Sequence, residues 1–179
     1  MKTALDFGNI YPHIELTTPI SEEAISQLKV GDVVSISGYI YCGRDAVLPK
    51  IVKHAEEGTL EKVNVDLQGA VIFHTAVSPA GVGPTSSNKL EIESSFIPLS
   101  KAGVKMHLGK GAIKPETVKA LEEQNAVFAI IPPVTALLES LTSEREVVCY
   151  PELGMEAFHR IKVNNYQAII AAAHGESIY

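Results

Sequence analysis

The stretch "VVSISGYIYCGRDAVLPKIVKHAEEG", Val33 to Gly58, decides the fold class. Its first eleven residues are rich in β-branched and aromatic side chains, which predicts a strand. Helical spacing begins near Asp45, a candidate N-cap, and Pro49 falls early in the helix, where a missing N–H costs least. Gly58 is a typical helix stop. A strand that leads directly into a helix is the repeating unit of α/β proteins.

The same alternation continues through the chain. The other predicted strands are "HIELTTPI", "GAVIFHTAV", "VKMHLG", "AVFAIIPP", "REVVCY", "FHRIKV" and "YQAIIAAA", with turns around Gly154 and Asn164-Asn165. The other predicted helices are "SEEAISQL" with Ser21 as N-cap, "NKLEIESSFIPLSKAG" interrupted at Pro98, "ETVKALEEQN" starting at Pro115, and "VTALLESL". Alternating strands and helices imply parallel pairing in the middle of the chain, and the strand-rich ends suggest a second, partly antiparallel sheet. The sequence predicts one three-layer α/β domain over residues 1–179 with a central parallel sheet.

Composition excludes several functional classes. The 179 residues fit one domain, and a net charge of −6 argues against a nucleic-acid module. No apolar run approaches the ~20 residues of a membrane span, and "MKTALDFGNIYPH" lacks the apolar stretch of a signal peptide. Cys42 and Cys149 form no CxxC pattern, so we expect a reduced, cytoplasmic protein. Two thiols are also too few for an iron–sulfur cluster site of the chain's own.

Three segments share one design, in which a predicted strand ends, small residues follow and a cation appears. They are "YCGRDA" with Arg44, "GVGPTSSNK" with Lys89, and "HLGKGA" with Lys110. If these strands are parallel, all three loops open on one edge of the sheet, where α/β proteins bind ligands. The three cations therefore predict a site for an anion, and a small dicarboxylic acid would suit it.

The small residues of these loops support an anion site. Glycine lets the backbone approach a ligand, and free N–H groups at a helix start attract anions. Thr85 and Ser86 add hydroxyls that could donate hydrogen bonds or move a proton. The glycines concerned are Gly83, Gly109 and Gly111.

Each segment also has an ordinary structural interpretation. Gly-Pro-Thr-Ser-Ser could be a capped turn, Lys110 a solvated turn residue, and Arg44-Asp45 a local ion pair with a helix cap. The coincidence of three such loops raises the functional interpretation to equal standing with the structural one. His74 and His107 are expected to be hydrogen-bonded core or rim residues, and no metal site is predicted. No GxGxxG, GxxxxGK[ST], HExxH or GxSxG motif occurs.

The order of five motifs resembles one family. "GDVVSISGYIYCGRDA", "DLQGAVIFHTA", "GPTSSNKLE", "GKGAI" and "PELGMEAFHRIKV" are similar to the β subunit, or C-terminal domain, of class I iron–sulfur hydro-lyases. These enzymes are the fumarate hydratases, including that of the tricarboxylic acid cycle, and the L(+)-tartrate dehydratases. The resemblance runs from about Gly31 to the C-terminus and implies a swivelling β/β/α domain.

The resemblance also implies an activity that needs a second subunit. A [4Fe-4S] cluster carried by an α subunit would act as Lewis acid, while the β subunit binds substrate carboxylates and supplies a proton-transfer hydroxyl. Matched residue by residue, Arg44 before Asp45 and Lys110 fall on carboxylate-binding positions, and Thr85 falls on the proposed base. Lys89 and Ser86 would complete the substrate contacts. We expect a dimer of αβ pairs, or a homodimer when the chain is alone.

Several departures from the family pattern concern the site. Lys89 replaces a usual Arg and loses bidentate geometry. Ser86 replaces a usual Thr, Leu48 a histidine, Pro132-Pro133-Val134 a Gly-Gly-Ala, and "IIAAAHG" ends without the usual acid. These changes favour an alternative function, a non-catalytic β-like module that binds a small acid or regulates a partner.

Overall fold

A computed structural model describes residues 13–78, 81–85, 89–131 and 135–178, and it has a mixed α/β fold. Within these ranges, eight strands form one sheet and two form a hairpin. The strands are β1 His13–Thr17, β2 Val33–Cys42, β3 Val71–Phe73, β4 Thr75–Ser78, β5 Gly81–Thr85, β6 Met106–Gly109, β7 Val127–Ile130, β8 Thr142–Cys149, β9 Phe158–Ala173 and β10 Glu176–Ser177. The helices are α1 Glu22–Ser26, α2 Leu48–Glu57, α3 Lys89–Lys101, α4 Pro115–Glu123 and α5 Thr135–Ser140, with 3₁₀ segments at Leu60–Val63 and Pro151–Glu156.

The parallel part of the sheet follows the predicted βα alternation. Strands β1, β2, β3, β6 and β7 lie side by side and parallel. Cys42 is opposite Phe73, and Phe73 is opposite Leu108, so β2, β3 and β6 end at nearly the same level. This register places the loops that follow the three strands at one edge of the sheet.

The long strand β9 closes the sheet on itself. It runs antiparallel to β7 near Ala172 and antiparallel to β2 from the Val33–Ile169 pair to the Cys42–His159 pair. Strands β2, β3, β6, β7 and β9 therefore form a closed ring. The antiparallel closing strands belong to the same sheet as the parallel ones, not to a second sheet. The three-layer swivelling arrangement stays a prediction.

Two closing strands that were predicted separately, "FHRIKV" and "YQAIIAAA", are one strand. The predicted turn at Asn164-Asn165 is a β-bulge, because the β2–β9 register shifts there. Asn165 takes a left-handed φ of 59°, and its N–H donates to Ser37 Oγ at 3.0 Å. A bulge absorbs the extra residue without ending the strand.

Three further local predictions need correction. The run "GAVIFHTAV" divides at His74, where the chain leaves the main sheet and continues as β4 of the hairpin. Helix α3 is not interrupted at Pro98 but continues to Lys101. Asp45 is not the N-cap of α2, which is Val47 without a side-chain cap. By contrast, the Ser21 cap is confirmed, since its side chain accepts from the N–H of Ala24, and Gly58 ends α2 as predicted.

Apolar side chains bury both faces of the parallel strands. On β3, Val71 and Phe73 join the cluster inside the ring, whereas Ile72 packs outside it with Ile51 of α2 and Leu99 of α3. This alternation is what a strand with two covered faces requires. Helices α2, α3 and α4 thus cover the outer surface of the ring, whereas Ile25 of α1 and Leu138 of α5 belong to the inner cluster.

Candidate functional site

The carboxyl ends of β2, β3 and β6 bring the first and third predicted loops to one edge. Pairing extends past the strands, because the N–H of Gly43 donates to Phe73 O and that of His74 donates to Leu108 O, both at 3.1 Å. Neighbouring strands lie about 4.8 Å apart, so the ends of β2 and β6 are about 10 Å apart. Arg44 is two residues beyond β2, and Lys110 directly follows β6. Their backbones therefore start from the same edge.

The segment with Gly83 and Thr85 is a strand, not the loop that was predicted. Thr85 pairs with Thr75, which follows the end of β3 by two residues. The backbone of Thr85 thus lies beside the middle of the three strand ends. The side chains of Thr85 and Lys89, and the whole of Ser86, lie outside the described residues. The sequence predicts a turn here because glycine and proline are unfavourable in strands.

Helix α3 is fixed to the loop that carries Lys110. Glu93, which is buried, accepts from the N–H of Lys114 at 2.9 Å and from Thr117 Oγ1 at 2.6 Å. Glu93 lies four residues after the start of α3 at Lys89. The N-terminal half of α3 and the loop before α4 are thereby held together. Sequence reasoning did not identify Glu93, because its partners lie more than twenty residues away.

The Lys110 side chain is exposed, and its neighbouring glycines explain the shape of the loop. A Cβ at Gly109 would lie 3.2 Å from the ring of Phe128, closer than most such contacts. Gly111 has a φ of 79°, in the left-handed region that favours glycine. A short loop of this kind can place Lys110 at the strand end and leave its side chain exposed to solvent.

Arg44 has a partner that the sequence did not reveal. Its Nε donates to Glu156 Oε2 at 2.8 Å, and its Nη2 donates to the same oxygen. Both side chains are partly buried, with exposed fractions of 28% and 26%. Glu156 belongs to the motif "PELGMEA", which was the only available signal. Asp45, the neighbour proposed as a partner, also takes part in an interaction.

Two buried histidines lie directly behind the edge. His74 Nε2 is 3.1 Å from His107 Nδ1, and His107 Nε2 is 2.9 Å from Ser100 Oγ. Phe96 stacks on the His107 ring at 4.3 Å. Burial lowers the pKa of His74 to about 3, and burial together with the nearby His74 ring lowers the pKa of His107. The prediction that both are hydrogen-bonded core residues is confirmed.

The two cysteines of the chain are free thiols. Burial raises the pKa of the Cys42 thiol far above its usual value and that of Cys149 to about 11. Over the described ranges, no group of three or more His, Cys, Asp or Glu side chains could hold a metal ion. None of the helices described is long and apolar enough to cross a membrane.

Known proteins with similar sequences indicate the family of this chain. A protein of Methanocaldococcus jannaschii, provisionally named as an L(+)-tartrate dehydratase β subunit, is 33% identical, with 89% of this chain and 88% of the relative covered. The L(+)-tartrate dehydratase β subunit of Escherichia coli K12 is 30% identical, with 91% and 85% covered. A Geobacillus stearothermophilus protein, provisionally named as a class I fumarate hydratase, is 32% identical over 93% of this chain. The matched region is only 33% of the length of that relative.

A family model covers nearly the whole chain. The model described as "Fumarase C-terminus" matches residues 8–179. The β-subunit relatives are matched over most of their own length, whereas the fumarate hydratase relative is matched over one third of it. The chain therefore belongs to the fumarase C-terminus family, and within it corresponds to a β subunit.

Proposed function

We propose that the chain is the β subunit of a two-subunit iron–sulfur hydro-lyase that reversibly adds water to, or removes it from, a small dicarboxylic acid. The observation that supports this proposal is that the backbones of Arg44, Thr85 and Lys110 start from the same edge of the sheet. Fumarate and malate are the first candidate substrates. Tartrate is the next, and it is the substrate named for the relatives matched over most of their length.

The proposed chemistry assigns distinct roles to the chain's residues. Dehydration of a 2-hydroxy diacid removes a weakly acidic proton beside a carboxylate, so the developing negative charge needs fixed cations nearby. Arg44, Lys89 and Lys110 would bind the carboxylates and stabilise that charge, with Ser86 adding a donor. The Thr85 hydroxyl would accept the proton, and nearby cations favour its ionised form.

The remaining chemistry belongs to a partner. A [4Fe-4S] cluster on the α subunit would supply a Lewis acid for the departing hydroxide. We propose an assembly of two αβ pairs, or a homodimer of this chain alone. The near-complete match to proteins named as β subunits, and the one-third match to the fumarate hydratase relative, support a separate α chain. Multi-angle light scattering of the co-expressed and isolated proteins measures the stoichiometry.

The test is anaerobic co-expression with a candidate α subunit, followed by an ultraviolet assay with fumarate, malate and tartrate. Thr85→Ala should retain substrate binding but lose at least about 100-fold in kcat, as expected for loss of a proton-transfer group. Thr85→Ser should recover part of the activity. Ser143→Ala, on the exposed strand β8, serves as the matched hydroxyl control. Near-normal turnover by Thr85→Ala would remove Thr85 from the mechanism.

A second candidate is the non-catalytic module that binds a small acid or regulates a partner. Lys89 in place of the family's usual arginine favours it, because lysine cannot bind a carboxylate through two parallel hydrogen bonds. This module would bind diacids by calorimetry without turnover in any assembled form. Substituting Lys89→Arg distinguishes the two functions, since it should raise activity only if the site is catalytic.

A further inference from the structure

The contact between Arg44 and Glu156 leaves part of the guanidinium available. A guanidinium carries five N–H donors and offers more than one edge to a carboxylate. Glu156 Oε2 takes the edge formed by Nε and Nη2. The opposite edge, formed by Nη1 and the second hydrogen of Nη2, makes no hydrogen bond to another residue in the described part of the chain. One arginine can therefore hold an internal carboxylate and bind a second one.

The fold itself creates this ion pair. Cys42 of β2 is opposite His159 of β9, and the two strands are antiparallel. Continuing two residues beyond Cys42 therefore brings Arg44 level with the chain just before β9, where Glu156 lies. The Tyr41 ring of β2 stacks on the Phe158 ring of β9 at 5.0 Å, and this contact stabilises the same strand register. The ion pair therefore results from the pairing of β2 with β9, not from a chance contact of two mobile surface side chains.

The segment that carries Glu156 is closely constrained. Glu156 ends the 3₁₀ segment Pro151–Glu156, in which Gly154 has a φ of 60° and a ψ of −123°. The N–H of Ala157 donates to Gly154 O at 3.0 Å, and the chain enters β9 at the next residue. Tyr150, before the segment, has a left-handed φ of 58°. A carboxylate held by such a segment can restrict the rotamers of its partner.

We propose that Glu156 is a positioning residue, whose carboxylate holds the Nε–Nη2 edge of Arg44 and presents the opposite edge to a substrate carboxylate beside the ends of β2, β3 and β6. This inference rests on the proposed function for the identity of the substrate. An arginine held in this way loses little freedom on binding, so preorganisation strengthens binding of the diacid. Glu156 itself does not touch the substrate.

The test compares Glu156→Gln with wild type in the assembled enzyme. Glutamine keeps the size but loses the charge, so Arg44 should become mobile and KM should rise about tenfold with kcat within twofold, the pattern of lost ground-state binding. Glu156→Asp should recover part of the loss. The control is Glu144→Gln, which removes an exposed ion pair with Lys162 (3.7 Å) between β8 and β9. Circular dichroism and urea unfolding verify that each variant folds.

Two other results would overturn the inference. An unchanged KM in Glu156→Gln, with wild-type folding, means that the pair is only structural. A lower KM means that Glu156 competes with the substrate for Arg44. If Glu156→Gln fails to fold, Glu156→Asp provides the test. Its shorter side chain moves the carboxylate that holds Arg44, so diacid binding should weaken. Unchanged diacid binding would refute the inference.

A second measurement separates this inference from the proposed function. Succinate is titrated into the isolated chain while the ¹⁵N signal of Arg44 Nε is followed by NMR, for wild type and Glu156→Gln. We expect succinate to shift the wild-type signal and to bind the variant about tenfold more weakly. If no assembled enzyme turns over a diacid but this difference appears, the hydro-lyase proposal fails and the role of Glu156 stands. If turnover is normal but the two proteins bind succinate equally, the role of Glu156 is refuted.

Discussion

The buried pair of His74 and His107 makes the stability of this chain dependent on acid. Both rings are fully buried and are hydrogen-bonded to each other. Burial lowers the pKa of His74 to about 3, whereas an unfolded chain titrates near 6.5. Below pH 6.5, His74 therefore binds a proton in the unfolded chain but stays neutral in the folded chain. Above that pH the neutral histidine does not reduce the free energy of unfolding. As the pH decreases from 6.5 towards 3, the free energy of unfolding falls.

The size of the effect follows from proton linkage. Each pH unit in this window costs about 1.4 kcal/mol for one such histidine. Between pH 7 and pH 4.5, His74 alone lowers the free energy of unfolding by roughly 2–3 kcal/mol. His107 acts in the same direction. Natural domains have only about 5–15 kcal/mol of stability, so this loss is a large fraction of the total.

The assay is urea unfolding at pH 7.0, 6.0, 5.0 and 4.5, for wild type and His74→Gln. Glutamine can still donate towards His107 Nδ1 but does not titrate in this range. The variant should be less stable at pH 7, and its stability should fall by about 1.4 kcal/mol less per pH unit below pH 6. Carboxylates titrate equally in both proteins and cancel in the comparison. Equal slopes for the two proteins would refute the argument that His74 remains neutral when folded.

Three further predictions concern packing and hydrogen bonds, each measured as a change in unfolding free energy. Gly38→Ala should cost at least about 2 kcal/mol, because φ is 114° and the new Cβ would collide with Thr18 Oγ1; an effect below 0.5 kcal/mol contradicts this. Glu93→Ala should cost about 2–4 kcal/mol by leaving Lys114 N–H and Thr117 Oγ1 without their acceptor, and a cost no larger than that of Glu144→Ala argues against it. Tyr166→Phe should cost about 1–2 kcal/mol, since the buried hydroxyl donates to Leu138 O at 3.0 Å; a neutral effect would mean that water replaces this bond.

The candidate site was only partly readable from the sequence. Arg44 and Lys110 were placed at one edge by a simple rule, since the loops after parallel strands open on the same side. The hairpin of β4 and β5 was not predicted. Its strand β5, which pairs Thr85 with Thr75, contains glycine and proline, and both residues disfavour strands. Glu156 and Glu93 were missed for a different reason. Their partners lie 112 and more than 20 residues away, and no local pattern encodes such contacts.

The sequence by itself determined the local elements of this protein. Strand β2, the Ser21 cap and the Gly58 stop depend on side-chain shape, hydrogen bonding and backbone freedom within a few residues, so they could be predicted from a short window. Only the tertiary structure decided that β9 continues through the bulge at Asn165, closes the ring against β2 and thereby sets Glu156 beside Arg44. The physical reason is that strand register is chosen by the burial of two distant segments against each other, and this energy exists only once both are in place.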